Sequence, residues 1–370
     1  MKLPDRLGSV AFRRSPVRGL DPASGATVYG VARRRVAVRL SVGFVAVAVI
    51  AVLAAGVGAV QIPFGTTVSI AIDRLPGISI DGDWPGSWET ILWKLRFPRI
   101  VMAGIVGGVL ALSGAAYQGL FRNPLADPYL VGVASGAGLG AAIVFLTGLP
   151  IFAVGGGLLP IAAFSGAIVA VTVSYLVARR SDGLPLTTLI LAGVAVAALA
   201  GAVTSLLMIR SDPSLRPLLA WLLGGFSGSR WTHAWLILPY VVPGVLILLA
   251  YARVLNVMQL GDDHARAAGV NVKRTKIVML GVASLLTAAA VAFSGIIGFV
   301  GLVAPHVVRR LWGADHRFLM PMSVLMGAGF LILADLGART LASPAELPVG
   351  IITAFAGAPF FLFLLTRPSR

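Results

Sequence analysis

Runs of about twenty consecutive apolar residues recur along this chain from Val36 to the C-terminus, and they constrain its fold more than any other feature. A helix of that length crosses the hydrocarbon core of a bilayer, rising about 1.5 Å per residue. Lipid offers no water to bond backbone N–H and C=O groups, so only helices and closed barrels span it. The runs are continuous, without the apolar and polar alternation of barrel strands, and they predict an all-α polytopic membrane protein. With 58% hydrophobic and 12% charged residues, the soluble globular class is excluded. About ten spans are predicted, at 40–60, 99–119, 130–148, 158–178, 187–208, 234–252, 277–295, 297–312, 318–337 and 350–366.

A net charge of +16 is of the size that attracts nucleic acid, but its distribution points elsewhere. With the N-terminus inside, the inner segments hold 22 of the 30 Lys and Arg and 7 of the 14 acids, whereas the outer segments hold 8 and 7. That asymmetry is the positive-inside rule, and no nucleic-acid partner is expected. The first 35 residues are basic and rich in Gly, Pro and Ser, and read as a flexible cytoplasmic tail ahead of a permease domain over 36–370. Arg33, Arg34, Arg35 and Arg39 would lie against anionic lipid. The chain has no cysteine, so disulfides and Cys-ligated metal are ruled out.

The chain also repeats itself. At an offset of 177 residues, Ile100, Val101, Met102 and Gly104 match Ile277, Val278, Met279 and Gly281, and Ala111, Leu125, Pro128 and Val131 match Ala288, Leu302, Pro305 and Val308. Five spans, an odd number, separate equivalent points, so the second copy enters the membrane from the opposite side. Such an inverted repeat is typical of transporters. RNPLADP (Arg122 to Pro128) and GLVAPH (Gly301 to His306) are both expected to break helix. Gly132, Gly136 and Gly140, and Gly104 with Gly108, have the spacing of close helix packing.

No ATP-binding loop of the form GxxxxGK[ST] occurs, nor HExxH, CxxC or GxSxG, so no catalytic residue and no metal site is assigned. His306 reads as a packed helix-end histidine, not a ligand for cargo iron. Charged residues are nearly absent from mid-span; Asp335 stands four residues before Arg339, a spacing that permits a local ion pair. That leaves no relay for proton or sodium coupling, so uphill transport would draw on a partner that grips an exposed surface. The polar interruption from Leu255 to Lys276 is the largest such surface between spans. A secondary carrier without an ATPase, or a non-transporting scaffold, are the rival classes.

Six collinear strings carry a family likeness: LRFPR at 95–99, SGAAYQGLFRNPLADPYLVGVASGAG at 113–138, LAGVA at 191–195, LGDDHARAAGV at 260–270, GFVGLVAPHVVR at 298–309 and ELPVGIITAFAGAPFF at 346–361. From about Val36 to Thr366 the chain resembles the permease subunits of the iron-chelate, haem and cobalamin class of bacterial ABC importers. The resemblance implies the type II ABC importer permease fold, in a multi-pass protein of the bacterial inner membrane with both termini cytoplasmic. It implies a homodimer, two ATPase subunits that hold ATP and Mg, an extracytoplasmic substrate-binding protein, and no cofactor on this chain. The cargo would be a ferric siderophore or haem, with cobalamin as the alternative.

By similarity, a coupling helix at about 258–272 would dock on the ATPase through Leu260, Gly261, Asp262, Asp263, Ala265, Arg266, Gly269 and Val270, with Asp262, Asp263, Arg266 and Gly269 as its exposed face and turn. Arg96, Arg99 and Arg339 would meet carboxylates of the binding protein, for which the forked guanidinium is suited. The second, fifth, eighth and tenth spans would line the path, gated near Asp182 to Thr188, with Tyr117, Gln118, Thr187 and Thr188 as its polar residues. Within Ser211 to Gly228, Trp221 and Phe226 suggest an interfacial helix at the outer mouth. The acidic stretch from Asp73 to Glu89 would be an added contact or a variable loop.

Overall fold

Each predicted span is a helix in the structure, a computed structural model that describes residues 22–74, 77, 78, 80, 82–146, 157–179, 185–209 and 215–366. The long apolar elements are α1 (Pro22–Gly56), α4 (Phe97–Phe121), α6 (Leu158–Ala178), α7 (Leu186–Ile209), α9 (Trp231–Ala250), α12 (Val272–Ser294) and α14 (His316–Thr340). Seven helical stretches among the described residues are long and apolar enough to cross a bilayer. The other three predicted spans are shorter: α5 (Val133–Leu146), α13 (Val300–Trp312) and α15 (Val349–Leu365). Between them lie α2 (Phe64–Asp73), α3 (Gly86–Thr90), α8 (Leu215–Leu222), α10 (Ala252–Met258) and α11 (Asp262–Ala267). Among the described residues there is no strand.

Helix α1 starts at Pro22, inside the stretch expected to be a flexible tail. Proline is preorganised for a first turn, and the Ala- and Arg-rich sequence that follows favours helix. Residues 1–21 lie outside the described residues. Two units divide at Ser41 and Val42, six residues after the expected boundary.

Helices α4 and α14 form the centre of the second unit. Arg99 at the start of α4 bonds Asp335 near the end of α14, and Gly119 near the end of α4 abuts His316 at the start of α14, so the two run antiparallel. A Cβ built on Gly107 would lie 2.3 Å from the Gly327 carbonyl oxygen, and one on Gly327 the same distance from that of Gly107. Only glycine at both positions permits this approach. Gly136 and Gly140 of α5 meet carbonyls of α6 in the same way, as their spacing predicts.

The inverted repeat is visible in helix direction. Asp262 bridges Arg122, just past the end of α4, and Lys276, in the second turn of α12, so the two repeat-related helices run in opposite senses. The breaks, however, are not equivalent. RNPLADP ends α4 in a loop and a 3-10 turn over Pro128–Val131, but GLVAPH lies within α13. In the second copy the helix breaks earlier, between Gly295 and Phe299.

The reason is a side chain. Pro305 has no N–H to give the carbonyl of Gly301 four residues back, and Gln118 of α4 donates to it instead, 3.2 Å away. With that acceptor satisfied, the helix continues through its proline.

Candidate functional site

The polar interruption folds as two short helices set end to end. Helix α10 leads through Gln259 and Leu260 into α11, which begins after Gly261 at φ +108 and closes on Gly269 at φ +82. Both glycines occupy left-handed conformations that a side chain would strain. The 6→1 closure of Val270 N–H on the Ala265 carbonyl and the 5→2 bond of Gly269 N–H to the Arg266 carbonyl, both 2.9 Å, complete the turn.

The expected exposed face is only partly correct. Asp263, Arg266 and Gly269 are exposed, and Leu260 presents a large apolar side chain at 69% exposure. Ala265 is buried against the body, and Gly261 and Val270 are half-buried. Asp262 is turned inward, its carboxylate 2.5 Å from Lys276 Nζ and 3.5 Å from Arg122 Nη2. Partial burial opposes its ionisation, but the Lys276 hydrogen bond and the charges of Lys276, Arg122 and Arg266 outweigh this and hold its pKa below the ordinary carboxylate value. Asp262 is therefore the tether of α11, not part of its free surface.

Three further contacts fasten this element to α4 and α14. Gln259 donates to the Gly119 carbonyl at 2.9 Å. Asn256 of α10 accepts from the His316 backbone N–H at 2.9 Å and donates to Asp315, the N-cap of α14, at 2.6 Å. Asn256, Gln259, Asp315 and His316 lie outside the six strings, and these contacts are joined only by the fold.

At the opposite ends of the same helices lies a buried ion network. Arg99 gives Nε to both oxygens of Asp335 at 2.9 and 3.0 Å, and Nη1 to both oxygens of Glu346 at 3.0 and 2.9 Å. Arg339 Nε lies 3.3 Å from Asp335, the local pair expected from spacing, and its Nη2 donates to the Ala54 carbonyl. Arg96 donates to the carbonyls of Ala55, Gly56 and Val60. The expectation of three guanidiniums free for a partner's carboxylates is thus corrected. Arg96 and Arg99 are 7% and 8% exposed, and all three arginines are occupied within the chain. Spacing located Arg339 beside Asp335, but not Arg99 or Glu346, which come from 236 and 11 positions away.

The polar residues expected along the path separate into two groups. Tyr117 is fully buried, its hydroxyl 2.6 Å from Ser284 of α12. Gln118 is buried too, bridging the Gly301 carbonyl and Arg309, which donates to its Oε1 at 2.9 Å. Both hold α4 to α12 and α13 in the core and line no open passage. Thr187, exposed, and Thr188, half-buried, stand in the first turn of α7, while Ser181 to Leu184 lie outside the described residues. Trp221 ends α8, but Phe226 is buried beyond it. His306 packs edge-on to Phe360, 6.2 Å between ring centres. Near the acidic stretch, Trp93 accepts at its carbonyl from Trp231 Nε1 at 2.8 Å and gives its own Nε1 to the Ile70 carbonyl, which fastens that region to the body.

The short helix followed by a glycine turn lies where the sequence placed it, and its tethering to the ends of the central spans is added by the fold. The model of the FecCD transport family matches residues 45–367. The chain belongs to this family. Its relatives include the cobalamin import system permease protein BtuC of Halobacterium salinarum, 46% identical over 82% of this chain and 85% of that one. An uncharacterized ABC transporter permease protein, YvrB of Bacillus subtilis, is 43% identical over 89% and 93%. The hemin transport system permease protein HmuU of Yersinia pestis is 39% identical over 90% and 97%. Among solved structures, an inward-facing conformation of a transporter described as of the metal-chelate ABC type superimposes with a TM-score of 0.76, at 32% identity, over 88% of this chain and 98% of that one. The chain is a multi-pass ABC importer permease of the type II fold.

Proposed function

We propose that this FecCD-family permease passes haem or a ferric siderophore inward across the bacterial inner membrane, driven by ATP hydrolysed on a separate subunit. The observation that carries the reading is the tethered α10–α11 element. It offers Leu260, Asp263 and Arg266 to a partner while Asp262, Gln259 and Asn256 bind it to α12, α4 and α14. A push on α11 therefore reaches the central spans directly, and a nucleotide-dependent partner can bias one conformation over another. In this reading α11 and both termini face the cytoplasm, and the Arg99 ends face outward, where a substrate-binding protein docks. Apolar side chains such as Leu191, Leu199 and Phe355 stand exposed on α7 and α15, suiting a second copy or lipid, and we assign a homodimer.

Cobalamin is a second reading of the cargo, favoured by the relative named for cobalamin import at 46% identity. The deciding experiment is uptake into proteoliposomes that contain this chain, an ATPase subunit and a binding protein, with labelled haem, a ferric siderophore and cobalamin compared. ATP-dependent accumulation of haem or the siderophore is expected. Accumulation without ATP would overturn the importer reading in favour of a secondary carrier.

A further inference from the structure

At the α11 end of the bundle, a cleft of about 470 Å³ opens between the end of α9, the start of α10 and the start of α14. Leu249, Ala250, Ala252 and Pro321 form its apolar part, and Arg253 and Arg317 its charged part. The two arginines are distant in the chain and meet because Asn256 of α10 bonds both Asp315 and the His316 backbone. Both are exposed, and no ion pair among the described residues engages either one. One turn away stand Leu249, Ala250, Asn256 and Val257 for Arg253, and Met320 and Pro321 for Arg317, so neither has a carboxylate at ion-pairing spacing. Asp315 is engaged as the cap of α14 and by Asn256. The cleft therefore holds two positive charges and no acid in its lining.

Its depth in the membrane decides what neutralises them. Ala250 ends an apolar span of 20 residues, so the cleft opens where hydrocarbon gives way to headgroups. Leading to it along α9, Val242, Leu246 and Leu249 share the helix face that Arg253 continues, and the first two are exposed. An apolar track that ends at two guanidiniums matches an amphiphile with an anionic head. A soluble anion would use the charges and leave the track uncovered.

We infer that this cleft seats an anionic phospholipid from the leaflet at the α11 end, its phosphate held by Arg253 and Arg317 and an acyl chain lying along α9. Naming that leaflet cytoplasmic rests on the importer reading, whereas the site itself requires nothing of the cargo or the ATPase. A lipid in this position joins α10 to α14, at the joint through which α11 is tethered.

The test is native mass spectrometry of the full chain released from detergent, titrated with phosphatidylglycerol or with phosphatidylcholine of the same acyl chains. The first phosphatidylglycerol should bind about tenfold more tightly than the first phosphatidylcholine. Arg253→Gln combined with Arg317→Gln, both at exposed positions, should leave the fold intact and abolish that preference. Ala250→Trp, which fills the exposed mouth of the cleft and keeps both charges, should weaken phosphatidylglycerol binding by a similar factor. The charge-matched control, Lys273→Gln with Arg274→Gln on the exposed first turn of α12, should retain the preference. Equal binding of the two lipids by the parent, a preference that survives the loss of Arg253 and Arg317, or its disappearance in the control would each overturn the assignment. So would displacement of phosphatidylglycerol by millimolar ammonium phosphate, which would make the cleft a site for a free anion. Absence of ATP-driven uptake would sink the importer reading and leave the lipid result standing, and the reverse holds equally.

Discussion

Arg122 and Phe299 are the two non-glycine residues with positive φ among the described residues, at +50° and +69°, and they stand 177 positions apart. That separation is the offset at which the two halves of the sequence align. A left-handed residue costs about 1–2 kcal/mol relative to a helical one, so each is held by its surroundings. Arg122 caps α4 and pairs with Asp262, whereas Phe299 starts α13 with its ring against Gly357 of α15. The repeat thus preserved a backbone turn after the side chains and the flanking helix boundaries had diverged.

Gln118→Leu should lower stability by about 1–3 kcal/mol, because it strands the Gly301 carbonyl opposite Pro305 and leaves Arg309 without its acceptor. Thermal unfolding in detergent is the measurement. A melting temperature equal to that of the parent would show that the Gly301 carbonyl is satisfied in some other way.

Replacing Gly107 by alanine places a methyl 2.3 Å from the Gly327 oxygen, and neither backbone can move without separating α4 from α14. The expected loss is at least the roughly 1–3 kcal/mol of an overpacked core, seen as reduced yield of monodisperse protein. Alanine at Gly281, where a Cβ meets nothing, is the matched control and should be tolerated.

The depressed pKa of Asp262 fixes the sign of a pH effect. A carboxylate whose folded pKa lies below its unfolded value stabilises fully above the unfolded value, near 3.8, and loses that contribution as pH falls through the folded one. Asp262→Asn should therefore flatten the acid limb of a stability profile and leave its shape near neutrality unchanged, although absolute stability drops with the lost Lys276 pair. An acid limb identical to the parent's would show the tether to be energetically silent.

Leu260→Asp combined with Asp263→Lys alters only exposed positions of the α11 element. Capture of the ATPase subunit in a pull-down should fall by about tenfold or more, with the melting temperature within about 1–2 °C of the parent. Undiminished capture would move the ATPase contact elsewhere.

Arg99→Gln uncouples two carboxylates from their shared guanidinium and leaves Asp335, 1% exposed, with Arg339 alone. Breaking a buried pair in this way typically costs about 3–5 kcal/mol. Chemical denaturation of the detergent-solubilised variant should show that loss, while Arg317→Gln, at an exposed position in the otherwise buried first turn of α14, should not.

Span positions, the inverted repeat and the location of the α11 element were legible in the chain, because each depends on local quantities: apolar run length, charge asymmetry and glycine placement. The roles of single polar residues were less legible. Gln118 resembles a path residue in sequence, yet it exists to serve a carbonyl 183 positions away. Arg96, Arg99 and Arg339 resemble a surface triad, yet backbone carbonyls and two acids enclose them.

By itself the sequence determined that this protein lives in a membrane as a bundle of helices with two inverted halves. Lipid makes that decision residue by residue, since every unbonded peptide group and every charge in its core carries a penalty. The tertiary structure alone decided which polar side chains face each other, which face a partner and which face a cavity. That choice is set by pairings across 140 to more than 230 residues, such as Gln259 with Gly119 and Arg99 with Asp335. Hydrogen bonds and ion pairs act over about 3 Å, so no local pattern can specify a partner that only helix packing brings within reach.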